Sequence, residues 1–119
     1  MSRRQQQKAA AMTPEALELV AARFRVLGEP LRLRLLQQLA LGERPVSELA
    51  MLLGTSQPNV SKHLKLMQEA GLVTRRADKN TAYYSVADES VFALCEIVCN
   101  RLADRLSSQA QALAGRRAR

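Results

Sequence analysis

Two groups of residues in this 119-residue chain have types and spacing suited to chemistry. The first is the run Ser56, Gln57, Asn59, Ser61, Lys62 and Lys65, which offers hydroxyls, amides and ammonium groups. Such groups bond to nucleic-acid base edges and to phosphate oxygens. The second is a pair of thiols, Cys95 and Cys99. Four residues apart on a helix, they project from one face. Soft thiolates select thiophilic ions, trivalent arsenic and antimony among them. The same thiols are open to oxidation or persulfide chemistry, although a disulfide within one helix would strain its geometry. A role as small packed hydrophobes competes with all of these.

Enzyme chemistry has no comparable footing. One histidine and two cysteines leave no nucleophile–base pair and little for a zinc site, and five scattered glycines make no phosphate loop. The chain is read as a non-enzyme. It has no apolar run of the ~20 residues a membrane span needs, and its first ten residues lack a signal peptide's apolar stretch. Two cysteines make no disulfide framework, so a reduced, cytoplasmic setting is expected, with no membrane partner.

The elements that must position these groups can be read from length, charge and periodicity. The length suits one domain with one core. Lysine and arginine number 18 against 11 acids, a net charge of +7. Residues 1–8 carry Arg3, Arg4 and Lys8, and residues 116–119 carry Arg116, Arg117 and Arg119, with no acid at either end. Between residues 55 and 86, Lys62, Lys65, Arg75, Arg76 and Lys79 face only Glu69 and Asp78. This layout points to a polyanionic partner, while basic tails alone are equally compatible with simple solvation.

Residues 1–12 read as a disordered basic arm and 111–119 as a basic tail. Between them, residues 13–110 form the folded domain. Thr13-Pro14-Glu15 starts a helix with Leu17, Val20, Phe24 and Leu27 on one face, broken at Gly28. Glu29-Pro30 starts another, with Leu31, Leu35, Leu36 and Leu39 on its buried side. Residues 42–45 read as a loop. A short helix carries Val46, Leu49, Ala50 and Leu53 and ends at Gly54. Ser56 caps the next, which runs to about Ala70 and stops at Gly71. Residues 72–75 and 81–86 read as strands around a polar turn at 77–80. Asp88 caps a last long helix to about Ala110.

Two short helices joined by three or four residues make a helix-turn-helix, whose second helix can enter the major groove. At about 100° per residue, Val60, His63, Leu64, Met67 and Ala70 fall on one side of that helix. Gln57, Ser61, Lys62, Lys65 and Gln68 fall on the other. The early residues Ser56, Gln57, Asn59 and Ser61 are best placed for bases, and Lys62 and Lys65 for phosphate. His63 belongs to the same candidate DNA-binding stretch, but its place at the apolar edge favours a hydrogen-bonded packing role over a ligand role. The hairpin adds Arg75, Arg76, Lys79 and Asn80, reaching the backbone or minor groove. A protein-interaction module without DNA binding would show a neutral face here, and this one is basic.

The stretches FRVLGEPLRLRLL (24–36), VSELAMLL (46–53), SQPNVSKHLKLM (56–67) and AGLV (70–73), with Tyr83-Tyr84-Ser85, resemble the ArsR/SmtB family of bacterial winged-helix repressors. The resemblance covers residues 13–106. It implies a mainly α fold with a small β-hairpin, a winged helix-turn-helix that dimerises through its first and last helices. It further implies a homodimer on a palindromic double-stranded operator, released by an inducer. At the wing tip, Asp78-Lys79-Asn80 lacks the family's frequent glycine, and Asn80 is expected to take the positive φ. Two metal sites of the family are missing. Glu48-Leu49-Ala50-Met51-Leu52 lacks the paired cysteines of the arsenical type, and the last helix has Asp88 and Glu96 but none of the histidines of the zinc type. Cys95 and Cys99 remain, inside a stripe with Val91, Leu94, Val98, Leu102 and Leu106. Across a dimer, up to four sulfurs would come close.

Overall fold

The computed structural model describes residues 2–117, with side chains through residue 114. The order is α1 (Arg3–Ala10), α2 (Pro14–Leu27), α3 (Pro30–Leu39), β1 (Arg44–Pro45), α4 (Val46–Leu53), α5 (Gln57–Glu69), β2 (Val73–Asp78), β3 (Thr81–Val86) and α6 (Ser90–Arg117). The chain divides into two compact units, one running to Ala87 and one from Asp88 onward.

In the first unit, the core is made by the apolar sides of three helices and the sheet. Leu35, Leu36 and Leu39 of α3, Leu49 and Leu53 of α4, and Val60, Leu64 and Met67 of α5 are buried, with Leu72, Val73 and Tyr84 closing it. The helix starts follow the capping rules. Thr13 accepts from the Ala16 N–H and Ser56 from the Asn59 N–H, each with proline in the first turn. Gly54 ends α4 at φ +66°, a left-handed conformation that favours glycine, and the Thr55 N–H bonds back to the Ala50 carbonyl. Nothing lies within 4 Å of a Cβ built there, so backbone conformation alone asks for glycine. The result is a turn of three residues between two helices.

The sheet has three antiparallel strands in the order β1-β3-β2. Arg44 pairs with Tyr84 and Pro45 with Tyr83, so the stretch expected to be a loop supplies an edge strand. Strand β2 extends three residues beyond the expected end. Asp78 pairs with Thr81, leaving Lys79 and Asn80 as the turn. Lys79, not Asn80, takes the positive φ, at 57°.

Residues 3–10 form a helix where a disordered arm was expected. A capping box explains it: Ser2 accepts from the Gln5 N–H while the Gln5 side chain accepts from the Ser2 N–H. All of α1 is exposed. Helix α2 buries only Leu27, and Leu17, Val20 and Phe24 stand open.

The second unit is α6. The Asp88 carboxylate accepts from the N–H and hydroxyl of Ser90, as expected for a cap. The helix continues past Ala110 to Arg117, through most of the expected tail. The Arg116 and Arg117 side chains, and Arg119, lie outside the described residues. Ile97, Val98, Leu102, Leu106 and Leu113 are exposed apolar residues along it. Among the described residues, no helix is long and apolar enough to cross a membrane.

Candidate nucleic-acid interface

The sequence of α5 sorts its residues by face, and the fold keeps that sorting. Val60, Leu64 and Met67 are fully buried, and opposite them Gln57, Ser61, Lys62, Lys65 and Gln68 are exposed. The chain therefore presents a ridge of amides, a hydroxyl and two ammonium groups, backed by a rigid core. The helix N-terminus adds its own positive end. Glu69 is the one acid on α5, and it lies in the last turn, away from that end.

Two of the expected reading residues have structural partners. Ser56 is exposed, but its hydroxyl caps the helix through the Asn59 N–H at 3.2 Å. The Asn59 side-chain amide donates to the Thr55 hydroxyl at 3.0 Å, so Asn59 locks the turn. Its side-chain oxygen is still available to a donor. Gln57 and Ser61 keep the unencumbered positions.

His63 does not join the exposed ridge. It is buried, and its Nδ1 accepts a hydrogen bond from Arg32 Nε at 3.0 Å. Arg32 Nη1 also donates to the Val26 carbonyl at 3.0 Å. Burial, then the charges of Arg32 and Lys62, hold the imidazole below its ordinary pKa, and Glu29 pulls the other way. The packing role is the one the structure gives it. Sequence reasoning missed Arg32, and the signal was His63 itself: a polar ring on an apolar face needs a partner.

The wing is also divided. Arg75, Lys79 and Asn80 are exposed. Arg76 is exposed too but is engaged. Its guanidinium grips Glu43 through bonds of 3.1 and 2.6 Å, lies 3.7 Å from Asp78, and stacks over the Tyr83 ring at 4.8 Å. The Arg76 bond holds the Glu43 carboxyl below the usual carboxylate range. Arg76 thus fastens β2 to the segment before β1, with much of its charge answered inside the chain. Arg44 makes a matching ion pair with Glu48 at the start of α4. Glu43 was not read as structural from the sequence because its partner Arg76 lies 33 residues on, while the Arg44–Glu48 pair is a local four-residue spacing that sequence reasoning passed over.

On α6, Cys95 is half-buried and Cys99 exposed, and both are free thiols. Among the described residues no three potential metal ligands come together. One chain therefore supplies two sulfur donors here. Two donors fall short of the four ligands of a structural zinc.

The α4–turn–α5 unit with its β2–β3 hairpin defines a winged helix-turn-helix protein. The model of the bacterial regulatory proteins of the arsR family matches residues 29–75. The crystal structure of M. tuberculosis Rv0081 superposes with a TM-score of 0.73 at 32% identity, covering 83% of this chain and 99% of that one. The solution structure of the homodimeric winged helix-turn-helix DNA-binding domain of Mb0332 from Mycobacterium bovis gives 0.69 at 29% identity, over 81% and 94%. A probable mercury resistance operon repressor from Streptomyces lividans is 44% identical over 68 residues, 57% of this chain, which spans 54% of that protein's length. The chain belongs to the arsR family: it is a bacterial regulatory protein and not an enzyme.

Proposed function

We propose that this protein is a homodimeric transcriptional repressor that binds a palindromic double-stranded operator in the cytoplasm. The observation that carries the reading is the exposed face of α5, polar and cationic above a fully buried apolar side. Gln57 and Ser61 read base edges, joined by the free oxygen of Asn59. Lys62 and Lys65 meet phosphates, as do Arg75 and Lys79 on the wing. Two such helices about 34–36 Å apart match successive major grooves of one duplex. The open apolar residues of α2 and α6 supply the contact between copies, in keeping with the homodimeric Mb0332 domain.

Release follows when an inducer alters α6. Cys95 and Cys99 are the residues to hold it, and a trivalent arsenic or antimony ion fits two thiolates on one helix face. Their four-residue spacing on α6 favours this over a repressor without thiol sensing; an oxidant or persulfide would use the same sulfurs.

The test is fluorescence anisotropy with a labelled duplex carrying the promoter of the chain's own gene, at rising salt. Affinity falls steeply with salt as phosphate contacts release counterions. Absent binding, or binding indifferent to salt, overturns the reading. Antimonite, arsenite and oxidant are then added to wild type and to Cys95→Ser and Cys99→Ser. Unchanged release in both variants removes the thiols from the mechanism.

A further inference from the structure

We propose that Arg32 and His63 form a proton-sensitive latch that holds the recognition helix α5 in its reading position. The inference rests on the DNA-reading role proposed above. A single guanidinium reaches three helices. Arg32 sits in the first turn of α3, its Nε donates to His63 Nδ1 on α5 at 3.0 Å, and its Nη1 donates to the Val26 carbonyl in the last turn of α2 at 3.0 Å. His63 lies on the buried face of α5, one residue after Lys62 and two before Lys65, both exposed. Its link to Arg32 therefore sets the rotation and seating of the helix that carries those contacts. Arg32 and His63 are positioning residues.

The latch requires a lone pair on Nδ1. A neutral imidazole provides it when its proton is on Nε2. A protonated imidazole carries N–H on both nitrogens, so donor would meet donor and cation would meet cation. The charged groups facing the ring are Arg32 from α3, Lys62 from α5 itself and Glu29 at the cap of α3. Two cations oppose one carboxylate, and burial adds to the cost of a second positive charge. Protonation thus breaks the link, and α5 loses its tie to α2 and α3. The same link gives any shift of α2 a direct route to the recognition helix.

The sequence holds one histidine, so its ring signals are assigned without ambiguity. Long-range nitrogen–proton NMR of the full chain should show an unprotonated Nδ1 and a protonated Nε2 at neutral pH. On acidification, the α5 amide shifts should move with the His63 titration. In Arg32→Gln, His63 should titrate at higher pH. A protonated Nδ1 at neutral pH, or α5 amides that ignore the titration, overturns the latch.

Binding supplies the second arm, with the labelled promoter duplex at constant ionic strength. Wild-type affinity should fall about tenfold per pH unit for each His63 that must be neutral, so up to about a hundredfold for a dimer seating both helices. His63→Gln, which keeps an acceptor oxygen and cannot charge, should hold its affinity through the same range. Parallel curves for the two proteins, or a flat wild-type curve across the titration, overturn the latch. If neither protein binds the duplex at any pH, the DNA-reading role fails. The latch is then judged on the NMR arm alone, which also serves if His63→Gln does not fold.

Discussion

Helices α5 and α6 are both amphipathic in sequence, yet they leave opposite faces uncovered. The apolar side of α5 is sealed by its own chain, with Val60, Leu64 and Met67 at zero exposure, and its polar side faces out. On α6, Val98, Leu102 and Leu106 are about half exposed or more. α2 shares that condition through Leu17 and Phe24. A polar surface over a closed core is ready for a polyanion. An apolar stripe left open by its own chain calls for a second protein surface.

The largest effects should separate the two helices by what they break. Leu64→Ala empties a fully packed site and should lower unfolding free energy by about 3 kcal/mol in denaturant titration. Leu102→Glu should leave that single-chain fold intact and weaken self-association by about 2 kcal/mol, read by analytical ultracentrifugation. A Leu102→Glu protein that stays fully associated would break the contrast.

A finer division lies within α5. Lys62→Ala should weaken binding to all duplexes alike, by about 1 kcal/mol, and lower the salt slope by about one. Asn59→Ala should relax base preference and also loosen the turn, because Asn59 is bonded to Thr55. Its melting temperature should therefore drop where that of Lys62→Ala does not. Equal behaviour of the two variants on a panel of duplexes and in melting would erase the distinction between base and phosphate roles.

The smallest effects on stability concern protons. His63 is held below its ordinary pKa by burial and cationic neighbours, so the unfolded chain binds the proton more readily. Its contribution to stability is complete above the unfolded value and is lost as pH falls through the folded one. Glu43 behaves alike at lower pH, where protonation releases Arg76. Glu43→Gln should trim the acid-side loss slightly, because this pair is solvent-exposed. Thermal melts across pH should show the His63 loss on the acid side of the ordinary histidine value, and that loss should vanish in His63→Gln.

Local signals were the legible ones. The caps at Thr13, Ser56 and Asp88, the stop at Gly54 and the two faces of α5 depend on residues within a turn of one another. Each was visible as type and spacing. Strand β1 was hidden because two residues ending in proline carry no strand pattern, and the pairing with Tyr83 and Tyr84 lies some forty residues on. The α1 helix has no apolar periodicity, and its capping box is a polar signal easily read as irregular chain. His63 was placed correctly at the apolar edge, but Arg32 is 31 residues away in sequence. No local pattern joins them. The same holds for Arg76, expected among the wing's DNA contacts and engaged by Glu43, 33 residues away in sequence.

The strand order β1-β3-β2 leaves one long side of β2 with backbone groups that no neighbouring strand satisfies. Such a margin is a template on which further chains can stack into fibres. Here it bears Arg75, Arg76 and Asp78, followed by Lys79 at the tip. Two copies brought margin to margin would bring together the exposed Arg75 and Lys79 of each, while Arg76 is already answered by Glu43. Exposed charge on an edge strand disfavours such pairing, so the same wing residues that suit a polyanion also work against stacking of the sheet.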